Sequence, residues 1–251
     1  MKIPYIFLIP LIIISCSEAE EQTETNNDLL DETLDPSVEN VSDALELQLD
    51  STALPERMQN ESEMILSQTE GDLDKDGINE MAVVFSKDLE WESVAPRDLV
   101  IYKQTDGAWE IWIETDNVIG RADEGGMMGD AFQDISINNG VLQIDHSGGS
   151  SWKWGNSEKY RYQDGEFYMI GFSSTYGKPC EYWEDRDYNL STGDCTFGFE
   201  AEKCEDYPAD THYGPRREEE FNHKLDELPK LLERRDFSHQ FNSPNGETFY
   251  L

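Results

Sequence analysis

Residues 99–114, LVIYKQTDGAWEIWIE, decide the fold class of this chain. Two apolar runs stand on either side of Asp106-Gly107, a dipeptide typical of a tight β-hairpin turn. The pattern therefore predicts two antiparallel strands that are neighbours in one sheet.

The same pattern recurs along the rest of the chain. Apolar runs flank turn residues at 138–140, 164–165 and 191–193, and residues 81–85 (MAVVF) are typical of a buried strand. We expect an all-β fold in which antiparallel meander hairpins form one or two propeller-blade-like sheets packed face to face. A closed propeller needs about four blades or more, and the residues after 57 are too few to supply them.

The C-terminal stretch is the exception to this pattern. Apolar residues recur there at spacings of three or four, namely Phe221, Leu225, Leu228, Leu231 and Leu232. Such spacing predicts a C-terminal helix. Pro229 lies inside the pattern and would cap, kink or divide that helix.

Composition divides the chain into three parts. The 251 residues include 19 basic and 54 acidic side chains, for a net charge of −35, which excludes a nucleic-acid binder that works by neutralising phosphates. Of the 11 Phe, 6 Trp and 11 Tyr, only Tyr5 and Phe7 precede residue 58. We therefore predict a signal peptide at 1–15, an acidic tether at 16–57 and a folded β domain at 58–251.

The leader indicates where the protein is sent. Lys2 precedes an apolar run that is too short, and too often interrupted by proline, to span a membrane. The run ends in Ile13-Ile14-Ser15-Cys16, which resembles the lipobox of bacterial lipoproteins. The resemblance implies that Cys16 is acylated, becomes the mature N-terminus and anchors the chain in a lipid bilayer. An ordinary signal peptide with an incidental cysteine is the alternative.

The segment after Cys16 is predicted to be a tether. Residues 17–57 hold 13 acidic side chains, one basic side chain and no aromatic ones. Such a segment buries too little apolar surface to offset the entropy of ordering, although residues 44–49 suit a short strand or turn. The run SEAEE at 17–21 resembles the surface-export signal of Bacteroidetes-type lipoproteins. It implies an anchor at the bacterial outer membrane, with the periplasmic and the cell-surface face both open.

One motif carries recognisable chemistry. Residues 72–80, DLDKDGINE, place carboxylates at the first, third, fifth and ninth positions and Gly77 at the sixth. Carboxylates this close repel one another unless a hard cation such as calcium compensates their charge. An EF-hand is excluded because Val83 stands where its bidentate Glu is needed, and because a strand follows instead of a helix.

Residues 71–84 instead resemble the FG-GAP/VCBS calcium repeat of integrin-type β-propellers. The resemblance implies a loop between two strands of one blade and one structural calcium ion. The implied ligands are the side chains of Asp72, Asp74, Asp76 and Glu80 and the backbone carbonyl of Ile78. Glu80 stands where that family more often has Asp, and the motif occurs once in this chain. A solvated acidic turn that binds nothing is the alternative.

Three further cysteines, Cys180, Cys195 and Cys204, allow one disulfide with one thiol left over. The sequence does not choose the pair, although a bridge between Cys195 and Cys204 would staple a hairpin to the segment that follows it. No Cys-x-x-Cys occurs, which disfavours a zinc site.

Tryptophans are the candidate ligand contacts. Trp152 and Trp154 are two residues apart and would share one face of a strand, either as a platform for a glycan or as part of the core. Trp112 stands between two glutamates, which suits a partner contact or a partly covered edge residue. The segments 125–130 and 148–154 resemble segments of uncharacterised bacterial lipoproteins and imply no activity. Residues 123–130 suit a second cation site, a lid or an irregular connection.

These observations favour a binding or scaffolding module with a glycan or protein ligand. The alternative is a hydrolase or inhibitor that acts on envelope or extracellular polymers. Asp145-His146-Ser147 contains the residue types of a catalytic triad, but neighbouring strand side chains alternate between faces, so we expect no triad there.

Overall fold

A computed structural model describes residues 54–87, 95–202, 204 and 213–251. The leader, Cys16 and the tether up to residue 53 lie outside the described residues, so the predictions for them stay predictions. The described part is all-β, its sheets are antiparallel, and none of them closes into a barrel. These features confirm the predicted fold class.

The first sheet has four strands that pair in chain order. They are β1 Met64–Gly71, β2 Glu80–Ser86, β3 Arg97–Thr105 and β4 Ala108–Thr115. All of β2 and most of β3 are buried, which explains their continuous apolar runs. One face of this sheet joins the main core, and the other face packs under Met58 and Trp109.

Arg57 shows that the folded part begins slightly before residue 58. Its guanidinium lies 4.4 Å above the ring of Phe85 and forms ion pairs with Glu63, Asp98 and Glu114. This arginine, which composition assigns to the tether, therefore covers the outer face of the four-stranded sheet.

The second sheet is a seven-stranded meander in which each strand pairs only with its neighbours in sequence. Its strands are β5 Phe132–Asn138, β6 Val141–Gly149, β7 Lys153–Gln163, β8 Glu166–Lys178, β9 Tyr182–Asn189, β10 Asp194–Ala201 and β11 Arg217–Asn222. At the turns Asn139-Gly140 and Asp164-Gly165, as at Asp106-Gly107, both residues have positive φ. This is the type I′ geometry that such dipeptides predict.

The seven-stranded sheet is buried on one face only. Leu142 and Ile144 of β6 are buried in the main core with residues of the four-stranded sheet, whereas Gln143 and Asp145 face the other way. A C-terminal hairpin, β12 Gln240–Asn242 and β13 Thr248–Tyr250, adds aromatic side chains to the same core. The opposite face of the sheet is an open, polar groove of about 880 Å³.

The predicted C-terminal helix is wrong. Phe221 lies in β11, and the only helical turn there is the short 3-10 helix Leu231–Asp236. Pro229 has no N–H to continue a helix, and its carbonyl instead accepts a hydrogen bond of 2.8 Å from the amide of Met169 in β8. The apolar spacing thus reflects an extended segment that packs across the sheet.

One disulfide joins Cys180 to Cys204, so the pair that the sequence left open is not Cys195–Cys204. The bridge ties the chain just before β9 to the chain just after β10. Cys195 is a free, buried thiol, and its burial raises its pKa to about 11.

Candidate metal site

The acidic loop connects β1 to β2 at the junction of the two sheets. Leu73, in the middle of the acidic residues, is completely buried in the main core. Just before it, Gly71 lies so close to β5 that an added Cβ would be 2.4 Å from Cγ2 of Ile137. The loop is therefore anchored in the core, which a freely solvated turn would not be.

Each acidic side chain of the loop uses one carboxylate oxygen to hold a backbone amide. Three of these bonds hold the amides of residues 76–78 around the sharp turn at Gly77, whose φ is +90°, and one joins the start of the loop to its end. The amide of Gly77 donates to Asp72 Oδ2 (3.1 Å), that of Asp76 to Asp74 Oδ1 (3.2 Å), that of Ile78 to Asp76 Oδ1 (2.8 Å), and that of Leu73 to Glu80 Oε2 (2.7 Å).

The second oxygen of each carboxylate has a different environment. Asp72 Oδ1 and Glu80 Oε1 are buried and accept no hydrogen bond. Asp74 Oδ2 and Asp76 Oδ2 are both bonded by the ammonium of Lys103, the latter at 3.0 Å. The four carboxylates are thus held by the backbone on one side and leave one oxygen each for a cation.

Three of the predicted ligands are mutually close. Asp72, Asp74 and Glu80 offer oxygens that all lie within 4.8 Å of one another. Asp76 is outside this set, and Ile78 lies in the exposed part of the loop with its amide on Asp76. No other group of three or more His, Cys, Asp or Glu side chains in the described ranges could hold a metal ion.

The burial of the Glu80 carboxylate favours a cation beside it. Its side chain is 0% exposed, and burial, together with the charge of Asp74, raises the pKa of this carboxyl. At Asp76 the hydrogen bond from the Ile78 amide and the ammonium of Lys103 lower the pKa. A buried carboxylate oxygen without a partner is costly, and a hard cation that accepts oxygen ligands removes that cost.

Lys103 is the residue that the sequence analysis missed. It lies on β3, 29 residues after Asp74, and reaches the loop because β3 pairs with β2, which starts at Glu80. No local spacing relates Lys103 to the acidic residues. Lys103 reaches the loop only through the pairing of β2 with β3, which the sequence analysis did not predict.

Trp112 does not face outward. Ile101 pairs with Ile113 but Tyr102 pairs with Ile111, so Trp112 is the extra residue of a β-bulge. The bulge interrupts the alternation of faces, and Trp112 packs with its ring centroid 4.6 Å from that of Tyr162. Of the two interpretations from the sequence, the structure fits the partly covered residue of an edge strand, with its indole against the main core.

Trp152 and Trp154 have separate environments, and no ring contact between them is found in the described part. Trp152 stacks on Tyr176 with centroids 5.3 Å apart and also contacts Tyr182. Trp154 lines a smaller cavity of about 370 Å³ together with His146. A paired indole platform is therefore not formed, whereas Trp152 and the exposed Tyr176 present an aromatic edge.

The glycine-rich segments 125–130 and 148–154 come together beside Trp154. The amide of Gly149 donates to the carbonyl of Gly125 at 2.9 Å, and an added Cβ on Gly148 would be 2.8 Å from the Cα of Gly125. Only glycine fits such a close approach of two backbones. The predicted second cation site in this loop finds no support, because no metal-sized cluster of ligands is found there among the described residues.

Asp145, His146 and Ser147 do not assemble a triad. Asp145 accepts hydrogen bonds from Ser157 and Gln143 on the open face of the sheet. His146 lies on the covered face, where its Nε2 accepts the amide of Gly120 at 3.0 Å and burial lowers the pKa of the imidazole. The alternation of faces that the sequence predicted thus separates these side chains.

Comparisons with known proteins assign no relative. The chain matches no protein-family model, and no curated protein matches it. In the described residues, no helix has the length and apolar character needed to span a membrane. The function is therefore argued from the geometry of the site.

Proposed function

We propose that this chain is an envelope lipoprotein, anchored to the bacterial outer membrane through acylated Cys16. Its β domain is a binding or scaffolding module that one calcium ion stabilises. The lipobox-like sequence before Cys16 supports the anchor, and the acidic loop supports the ion.

The observation that carries the calcium proposal is that the two oxygens of each carboxylate have different partners. One oxygen of each acid holds a loop amide, and of the four that remain, those of Asp72 and Glu80 are buried without a hydrogen-bond donor. Calcium takes about six to eight oxygen ligands in flexible geometry, so these oxygens with backbone and water would suit it. Magnesium demands a tighter octahedron and releases water reluctantly, so it should bind less well.

Thermal unfolding of the full chain tests the site. Calcium should raise the melting temperature relative to chelator, because an ion that binds only the folded state stabilises it by about 2.7 kcal/mol at 100 times Kd. Asp72→Asn should abolish this shift while keeping the hydrogen bond to Gly77. The matched control is Asp106→Asn, which removes one exposed charge from the β3–β4 turn, outside the acidic loop. Equal melting temperatures for the wild type in calcium and in chelator would refute the site.

The anchor has its own test. Mass spectrometry of the mature chain should find acyl groups on Cys16 at the N-terminus, and Cys16→Ser should release the protein from the membrane fraction. A mature chain that begins at another residue without acylation would contradict the anchor without affecting the calcium proposal.

A glycan is the ligand that the aromatic edge supports. Trp152 stacked on Tyr176 offers a ring surface suited to sugar rings, with Lys178 Nζ 5.7 Å from the Trp152 ring. On a glycan array, Trp152→Ala should lose the binding that the wild type shows. Tyr250→Ala is the control because Tyr250 is 63% exposed on the C-terminal hairpin. Equal binding by Trp152→Ala and wild type would refute this surface.

A further inference from the structure

Lys103 occupies the Asp74 oxygen that the proposed calcium ion would need, and it also bonds the neighbouring Asp76. Its ammonium bonds Asp74 Oδ2 and Asp76 Oδ2 and lies 4.0 Å from the unpartnered Glu80 Oε1. A lysine side chain carries a positive charge at neutral pH. The ammonium is therefore a tethered cation in the same cluster of carboxylates.

We propose that Lys103 is an internal competitor of calcium. At low calcium its ammonium neutralises part of the loop and holds it in the folded arrangement. At high calcium the ion takes the oxygen of Asp74 together with those of Asp72 and Glu80, and the ammonium leaves. Lys103 thereby sets the calcium concentration at which the loop exchanges one cation for the other. This inference rests on the proposed calcium site.

Two features of the fold allow this exchange of cations. Lys103 comes from β3, whereas its acidic partners come from the β1–β2 loop, so the ammonium can withdraw without unfolding the loop backbone. The loop keeps its shape through its own amide bonds to Asp72, Asp74, Asp76 and Glu80. The Trp112 ring lies 5.4 Å from Lys103 Nζ and offers the released ammonium a cation–π contact.

One ammonium does not neutralise the charge of the four carboxylates. Four carboxylates with one lysine keep a net charge of −3, and the buried oxygens of Asp72 and Glu80 still lack a donor. A divalent ion contributes twice the charge and can reach oxygens from several sides. Calcium and Lys103 are therefore unequal competitors, and the lysine lowers the apparent calcium affinity without preventing binding.

The test compares Lys103→Met with Lys75→Met in the full chain by calorimetric calcium titration. Lys75 lies in the same loop and carries the same charge, but the ion pairs with Asp74 and Asp76 belong to Lys103. Lys103→Met should bind calcium at least about tenfold more tightly than wild type, since a like-charged competitor has gone. Lys75→Met should change the affinity about twofold or less, which measures the general effect of removing one positive charge nearby.

A second experiment measures how accessible the Lys103 amine is. Amine acetylation analysed by mass spectrometry should modify Lys103 faster in calcium than in chelator, because the ion releases its ammonium. Acetylation of Lys75 should be the same in both conditions. In chelator, Lys103→Met should also melt at a lower temperature than Lys75→Met, since the carboxylates lose their internal cation.

The possible failures are distinguishable. If the wild type and both variants bind no calcium, the proposed calcium site itself is refuted. If the wild type binds calcium but Lys103→Met binds it no more tightly than Lys75→Met, the site stands and competition is overturned. Calcium binding without any change in Lys103 acetylation would likewise overturn the exchange.

Discussion

The two sheets reach stability in different ways. In the four-stranded sheet the central strands β2 and β3 are buried on both faces, the outer strands β1 and β4 are partly exposed, and the β1–β2 loop is a cluster of carboxylates. The seven-stranded sheet is buried on one face and leaves a polar groove on the other. The short sheet thus concentrates its apolar side chains in two central strands and its charge in one loop, whereas the long meander distributes apolar and polar side chains along its strands.

The strongest test of this contrast is Leu73→Ala. Leu73 lies among the acidic residues and is completely buried in the core shared by both sheets, so truncation should cost about 2–5 kcal/mol. Ile78→Ala in the same loop is the control, because Ile78 is 47% exposed and should cost much less. Chemical denaturation measures both. Equal costs would mean that the loop is not part of the core.

Removal of the disulfide tests the far end of the seven-stranded sheet. Cys180 and Cys204 are 24 residues apart, and Cys180→Ser with Cys204→Ser should cost about 3 kcal/mol by loop-closure entropy. A reductant should lower the melting temperature of the wild type but leave the double variant unchanged. The calcium-induced shift should persist in the double variant, because the acidic loop belongs to the other sheet. A lost shift would show that the two regions are coupled.

The effect of Glu80→Gln on the melting temperature should depend on whether calcium is present. In chelator the variant should melt at or above the wild-type temperature, because it removes a buried charge whose second oxygen has no donor. Calcium should raise the melting temperature of the variant less than that of the wild type, because an ionised ligand is lost. Glu70→Gln, an exposed position on β1, should alter neither condition appreciably. A variant that is destabilised equally in both conditions would contradict the role of Glu80 as a ligand.

The smallest expected effect is the pH dependence from His146. Burial lowers its folded-state pKa below the unfolded value of about 6.5, so the unfolded state takes up the proton first as pH falls. The neutral imidazole therefore stabilises the fold above about pH 6.5, and this contribution is lost as the pH falls below that value. The loss is at most about 1.4 kcal/mol for each unit by which folding lowers the pKa of His146. Urea unfolding at pH 7.5 and 5.5 should show a larger loss for wild type than for His146→Gln. Equal losses would exclude His146 as the source.

The hairpins were predictable because their signals are local. A type I′ turn requires positive φ at both central residues, and Asn-Gly and Asp-Gly dipeptides tolerate it. The turns at Asp106-Gly107, Asn139-Gly140 and Asp164-Gly165 have this geometry. The acidic loop was also recognisable, since Gly77 and the alternating carboxylates lie within nine residues. The structure brings Asp72, Asp74 and Glu80 together as that spacing predicts.

What could not be predicted depends on contacts between distant residues. The bulge at Trp112 follows from the register of β3 against β4, and it reverses the expected face of the indole. The C-terminal spacing fitted a helix, but the Pro229 carbonyl pairs with Met169 of β8. Lys103 joins the acidic loop through strand pairing across 29 residues. In each case the deciding partner is far away in sequence.

The order of the seven-stranded meander also has a consequence for the rate of folding. Each of its strands pairs only with strands adjacent in sequence, and except for the connection between Ala201 and Arg217 the loops are short and cost little chain entropy to close. Chains dominated by such local pairings fold faster than those that must first bring distant strands together. We therefore expect the meander to form by successive addition of neighbouring strands, and the docking of β1 on β5 through Gly71 and Ile137 to be the slower, non-local step.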